Sequence, residues 1–290
     1  MTGARQWLAG ARPRTWPAAL VPVVVGTAAA DLDQGIVLWR AGAALVVSLA
    51  LQWAVNYAND YSDGIRGTDD GRVGPMRLVA SGAASPTAVK GAAFVSFAVA
   101  AGAGVALAAA VSWWLVVVGA ACMAAAWGYT GGSRPYGYRG WGELFVFVFF
   151  GLVATAGTSF VQDERVTWLA VGASVPVGLL AVALLVTNNL RDLPGDQQAG
   201  KRTLAVRLGD RATRVLYVGI VVAVYLCLPY LSLLRPGALL AMLSLPFAVG
   251  PCRSVLRGAA GRDLIPVLGA TGRLQMVTGA LLAAGLVATA

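Results

Sequence analysis

Two short stretches of the chain set acids and amides at helical spacing. In "VNYANDYSDGIRGTDDGR" (55–72), Asn56, Asn59, Asp60 and Asp63 stand at i, i+3, i+4 and i+7, which is one stripe on a helix. In "TNNLRDLPGDQQAGKRTLAVRLGD" (187–210), Asn188, Asp192 and Asp196 are spaced by four, with Arg191, Lys201 and Arg202 close by. Pro194 is placed to end or kink that second helix. Carboxylate, carboxamide and water are hard oxygen ligands of the kind magnesium takes. Magnesium typically uses one or two carboxylates plus substrate phosphates and not a full protein cage. Two acidic groups can therefore hold separate Mg2+ ions on one diphosphate, while Arg66, Arg77, Arg191, Lys201 or Arg202 neutralises the remaining phosphate oxygens. Such a site stabilises a departing diphosphate by Lewis acidity and fixed positive charge. Acids at a helix C-terminus are otherwise a poor choice, because that end carries partial negative charge. The plain alternative is an ordinary solvated loop.

The elements that must position these residues are greasy. Of 290 residues 58% are hydrophobic and 12% charged, against about 25% charged in a typical soluble domain. Apolar stretches recur near 15–31, 39–58, 88–110, 112–130, 141–161, 167–190, 213–232, 237–256 and 270–290, each close to the ~20 residues a helix needs to cross a bilayer. The chain therefore reads as an all-α polytopic membrane protein with about nine transmembrane helices, one domain over 1–290. The two acidic stretches follow the second and sixth spans and read as an internal pseudo-repeat. The first apolar segment carries Pro17 and Pro22 and leads into further spans, so it reads as a span and not as a cleavable signal.

The basic residues orient these helices. With the first residues on the cytoplasmic side, 19 of the 22 Lys and Arg fall on that side, and only Arg40, Arg165 and Arg235 fall outside. Both acidic clusters then face the cytoplasm. The net charge of +9 belongs to one membrane face with lipid headgroups as its partner, and a nucleic-acid partner is excluded. Cys122, Cys227 and Cys252 form neither a metal spacing nor a disulfide framework.

Asn59-Asp60-Tyr61-Ser62-Asp63 with the later Asp192-x-x-x-Asp196 resembles the UbiA-type intramembrane aromatic prenyltransferase family. The resemblance runs over essentially the whole chain: "ARPRTWPAALVPVVVG", "NDYSDGIRGTDD", "GPMRLVASG", "YTGGSRPYGYRGWGE", "NNLRDLPGD" and "KRTLAVRLG". Within the family it is similar to the branch whose acceptor is 1,4-dihydroxy-2-naphthoate. That resemblance implies a bacterial cell-membrane enzyme in which Mg2+ bound through Asp60, Asp63, Asp192 and Asp196 helps ionise a polyprenyl diphosphate. The aromatic acid then attacks the allylic carbon and loses carbon dioxide. The family pattern puts a third aspartate four residues beyond Asp63, where this chain has Gly67. Asp69 and Asp70 both remain candidates for that ligand.

The loop at 129–143 is the expected third wall. Tyr129, Tyr136 and Tyr138 can face an allylic cation, and Arg134 and Arg139 can pair with the aromatic acid or the diphosphate. Tyrosine and arginine also crowd membrane interfaces for topological reasons alone. Arg12 and Arg14 share that ambiguity, and Glu143 reads as a loop-orienting acid. Three other readings compete. One is a family member with a different acceptor, such as 4-hydroxybenzoate. Another is a secondary transporter, whose acids belong nearer the bilayer midplane. The third is a CDP-alcohol phosphotransferase, whose Asp-x-x-Asp-Gly opening is mimicked by Asp60, Asp63 and Gly64 but broken at Gly67-Thr68.

Overall fold

The computed structural model describes residues 3–30, 35–68 and 74–290, so Asp69 and Asp70 lie outside the described residues. Among those described, every regular element is helical. After a short α1 (Ala4–Gly10), the order is α2 (Pro17–Ala28), α3 (Leu38–Ile65), α4 (Pro86–Ala110), α5 (Trp114–Gly128) and α6 (Gly142–Asp163). Then come α7 (Trp168–Gln198), α8 (Leu204–Ser232), α9 (Pro236–Leu256) and α10 (Leu264–Ala288). All nine expected apolar segments carry a helix, but among the described residues seven helices are long and apolar enough to cross a membrane. At 12 and 15 residues, α2 and α5 cover less of the ~30 Å hydrocarbon layer at 1.5 Å per residue.

Local chemistry starts the helices. Ser85, Thr167 and Thr203 each accept the backbone N–H three residues on, at 3.2, 3.0 and 3.4 Å, as N-caps do. The helices that carry the acids end late. α3 runs to Ile65 and not to 58, and α7 runs to Gln198 and not to 190, so both polar stripes are fully helical. Pro194 neither ends nor breaks α7, contrary to the expectation from its residue type. The helix continues for four residues past it, and Asp196 keeps its register one turn beyond Asp192.

Packing centres on α7, which is buried over most of its apolar length and meets α2, α8 and α10 in the main core around Val25, Val177, Leu180, Tyr217, Leu228 and Leu274. α6 lies close against α7 because glycines meet there. A methyl added at Gly151 would stand 2.6 Å from the Cα of Gly178, the close backbone approach that small residues permit between membrane helices. The same stretch of α6, Phe147–Val153, is wound as a π-helix, a form often found at functional sites. Trp113, Trp114 and Trp168 are exposed at the end opposite the acidic stripes, where indole rings suit a membrane–water boundary.

Candidate active site

The C-terminal turns of α3 and α7 come together at one end of the bundle and open onto a cavity of about 830 Å³. Its wall includes Asn56, Asn59 and Asp63 from α3, Arg77 from the α3–α4 connection, and Tyr129 and Tyr138 from the α5–α6 loop. Asn188, Arg191, Asp192 and Asp196 from α7, with Lys201 just beyond it, complete the polar part. Deeper, the wall becomes apolar, with Val47, Val105, Leu115, Phe149 and Val161 along it.

Lys201 joins the two stripes. Its Nζ stands 3.2 Å from Asp63 Oδ1 and 3.8 Å from Asp196 Oδ1, with the lysine and Asp63 side chains both nearly buried. The ammonium also lies 4.8 Å from the centroid of the Tyr138 ring, whose hydroxyl donates to Asp63 Oδ1. Burial first, and the Asp63 charge second, pushes the Tyr138 phenol above its ordinary value, so it stays a donor. Burial does the same at Tyr129, helped by the charge on Glu143. The α5–α6 loop is fixed here by its backbone, since Arg202 N donates to Tyr138 O at 2.9 Å. On α7, Arg191 forms a bidentate pair with Asp192, both contacts at 2.8 Å.

Two asparagines on α3 hold neighbouring segments. Asn59 Oδ1 accepts from the Thr130 hydroxyl at 2.7 Å. Asn56 Nδ2 donates to Ala11 O at 3.0 Å and Thr15 Oγ1 at 3.2 Å, while Arg12 Nη2 donates back to Asn56 O at 3.3 Å. The segment before α2 is thereby drawn onto the cavity, and Arg12, Arg14 and Thr15 all stand on its wall.

Five residues expected at the site are elsewhere, among them Arg139 and Arg202, which are exposed and off the cavity wall. Asp60 has no exposed surface and lies off the cavity wall. Its two oxygens accept the backbone N–H groups of Leu78 and Val79 at 2.8 and 3.0 Å, so it anchors the segment that carries Arg77. Arg66 is also off the wall. Its guanidinium donates to the carbonyls of Thr130 and Gly132, which ties the end of α3 to the α5–α6 loop. Arg134 is exposed at the tip of that loop. Sequence spacing also overlooks three residues on the wall: Gln52, which donates to Thr15 Oγ1 at 3.1 Å, Thr130, and Asn189, the neighbour of Asn188.

The sequence model of the UbiA prenyltransferase family matches residues 19–264. The chain is 51% identical over 288 residues to the 1,4-dihydroxy-2-naphthoate octaprenyltransferase of Mycobacterium tuberculosis, an alignment that covers 99% of this chain and 98% of that protein. Its fold matches the apo structure of a UbiA homolog from Aeropyrum pernix K1 with a TM-score of 0.72 at 14% identity, covering 93% of this chain and 96% of the other. It also matches a UbiA homolog from Archaeoglobus fulgidus bound to GPP and Mg2+, with a TM-score of 0.65 at 14% identity over 95% and 99% of the two chains.

Proposed function

We propose, for a chain that belongs to the UbiA prenyltransferase family, transfer of a polyprenyl group from polyprenyl diphosphate to 1,4-dihydroxy-2-naphthoate. Carbon dioxide and diphosphate leave, and the product is a demethylmenaquinol. One observation carries the reaction class: a mouth of opposed charges, with Lys201 between Asp63 and Asp196, opens into a large apolar cavity in a membrane protein. The acceptor rests on the whole-length relative and its stated activity.

The donor set fits magnesium. No three acidic, cysteine or histidine side chains gather as one metal cluster among the described residues. Asp63, Asp192 and Asp196 line the cavity as separate carboxylates, and magnesium shared between one or two carboxylates and substrate phosphates needs no more than this. The archaeal neighbour solved with GPP and Mg2+ supports a divalent metal in this chain. Bound there, Mg2+ supplies Lewis acidity at the diphosphate.

The chain's own residues do the rest. Lys201, Arg77 and Arg191 hold phosphate oxygens and stabilise the charge that grows as the carbon–oxygen bond breaks. The apolar wall takes the prenyl chain and keeps water from the allylic cation. Tyr129 and Tyr138 present ring faces to that cation, at roughly 0.5–2 kcal/mol each. The electron-rich acceptor ring attacks at the carbon bearing its carboxyl group. Decarboxylation then restores aromaticity, and no ring proton has to be removed. Asp60, turned onto the Leu78–Val79 amides, takes no part in binding metal. That orientation also weakens the phosphotransferase reading, which needs Asp60 and Asp63 on one site. The polar end of the bundle faces the cytoplasm of a bacterial cell, a placement supported by the distribution of Lys and Arg.

The test supplies purified protein with Mg2+, radiolabelled polyprenyl diphosphate and, in separate reactions, 1,4-dihydroxy-2-naphthoate or 4-hydroxybenzoate. The expected result is a labelled lipid from the naphthoate with one carbon dioxide released per prenyl group. Equal use of both acids, or a prenylated product that keeps its carboxyl, would overturn the acceptor assignment.

A further inference from the structure

Glu143 opens α6 and is 8% exposed. Its Oε1 accepts from Asn189 Nδ2 at 2.9 Å, and its Oε2 has no hydrogen-bond partner among the described residues. A carboxylate offers only acceptors, so the NH2 of the amide must face it. Asn189 stands on the cavity wall. With its NH2 turned to Glu143 the amide is held in one orientation, and the acceptor it can offer a ligand is the carbonyl oxygen Oδ1.

An aromatic surface lines the same cavity as Asn189. Tyr136 stacks on Phe145 with centroids 3.9 Å apart, Phe145 meets Phe149 at 5.9 Å, and all three line the cavity. A flat ring can lie against them with a substituent toward α7. We infer that Asn189, held acceptor-outward by Glu143, reads a ring hydroxyl of the aromatic acceptor, so the site takes the hydroquinone acid and rejects the corresponding quinone acid. A hydroquinone presents an O–H donor to Asn189 Oδ1. A quinone presents a carbonyl, and two acceptors then face each other with neither satisfied. Sites built to pair a hydroxyl discriminate strongly against the analogue that lacks it. Asn189 is thus a specificity residue and Glu143 a positioning residue.

This inference rests on the proposed acceptor, and the test separates the two. KM is measured for 1,4-dihydroxy-2-naphthoate and for polyprenyl diphosphate under anaerobic conditions with no added reductant, with 2-carboxy-1,4-naphthoquinone as competing ligand, in wild type, Glu143→Gln and Asn189→Ala. Glutamine can accept from or donate to the amide, so it frees Asn189 to flip. In Glu143→Gln the hydroquinone KM should rise about tenfold, the quinone should become the better inhibitor by a similar factor, and the diphosphate KM should stay put. Asn189→Ala should raise the hydroquinone KM without strengthening the quinone. A purely structural role would not reverse the preference between the two redox forms. Wild type that makes no prenylated naphthoate defeats the proposed function. Turnover in wild type with unchanged redox preference in Glu143→Gln, or with an unchanged hydroquinone KM in Asn189→Ala should the first variant not fold, overturns the inference alone.

Discussion

Lys201 Nζ lies 3.2 Å from Asp63 Oδ1, so a cation from the α7–α8 connection neutralises the carboxylate at the end of α3. The same ammonium reaches Asp196 at 3.8 Å, and one positive charge therefore bridges the acids of both stripes. Lys201→Met keeps the length of the side chain and removes the charge. It leaves Asp63 nearly buried without its ion pair, which is costly, and it deprives the departing diphosphate of a partner. We expect kcat/KM for polyprenyl diphosphate to fall by about a hundredfold or more, with Lys201→Arg retaining part of the activity. Steady-state kinetics in detergent would check both, and near-normal turnover in the methionine variant would remove Lys201 from the site.

Asp60 and Asp63 stand one turn apart and do different work. Asp60→Asn keeps one acceptor and turns an NH2 against a backbone N–H, so a buried donor loses its partner at about 1–3 kcal/mol. Thermal unfolding should therefore shift down while the magnesium concentration for half-maximal activity stays unchanged. Asp63→Asn should leave the protein folded and nearly abolish turnover. The opposite pattern, a metal defect at Asp60 and a purely thermal defect at Asp63, would reverse the two roles.

This pair also marks how far the sequence is legible. Spacing of three and four residues identifies a helical stripe, because helix geometry fixes it locally. What lies over each edge of the stripe is a tertiary matter. Asp60 is covered by the Leu78–Val79 backbone, a contact that no local pattern encodes. Arg66 and Arg134 fail for a related reason: charge identifies a basic residue near a site, but a free carbonyl or open solvent competes for it, and at this surface each has taken one. Asn189 is missed because the regular spacing of Asn188, Asp192 and Asp196 draws attention to a neighbouring line on α7. The helices themselves are readable from hydropathy, whereas the shortness of α2 and α5 and the π-turn of α6 depend on packing.

Tyr138 links the site to alkaline pH. Its phenol is raised above the unfolded value, which is about 10, so the folded protein holds this proton more tightly than the unfolded chain does. The stability this contributes is complete below pH 10 and is lost as pH rises through the folded value. Tyr138→Phe should therefore lose stability less steeply than wild type above pH 10, while at neutral pH it lacks the hydrogen bond to Asp63. Melting temperature against pH for the two proteins decides it. Parallel curves above pH 10 would remove Tyr138 as a contributor.

Sidedness can be read from single cysteines placed in a background free of Cys122, Cys227 and Cys252. Ser133 and Ala199 are exposed at the polar end, and Val166 is exposed between α6 and α7 at the other. With the polar end cytoplasmic, an impermeant thiol reagent applied to intact cells should label Val166→Cys and spare Ser133→Cys and Ala199→Cys, which react only after the membrane is opened. Labelling of either of the latter two from outside would invert the orientation.

The contact between α6 and α7 is the last link, because it carries Glu143 and Asn189 together. A methyl at Gly151 would meet Gly178 Cα at 2.6 Å and Ser174 O at 3.2 Å. Both obstacles are at the backbone, so no side chain can swing aside and the two helices must separate. Overpacking of this kind costs roughly 1–3 kcal/mol. Gly151→Ala should lower the melting temperature in detergent and, by moving Asn189 relative to the Tyr136–Phe145 surface, raise the acceptor KM more than the diphosphate KM. Gly219 on α8 is the control, since a methyl there meets nothing within 4 Å and alanine is the better helix former by about 0.5–1 kcal/mol. Gly219→Ala should hold or raise the melting temperature with kinetics unchanged. If the two variants melt alike, the glycine crossing does not set the distance between α6 and α7.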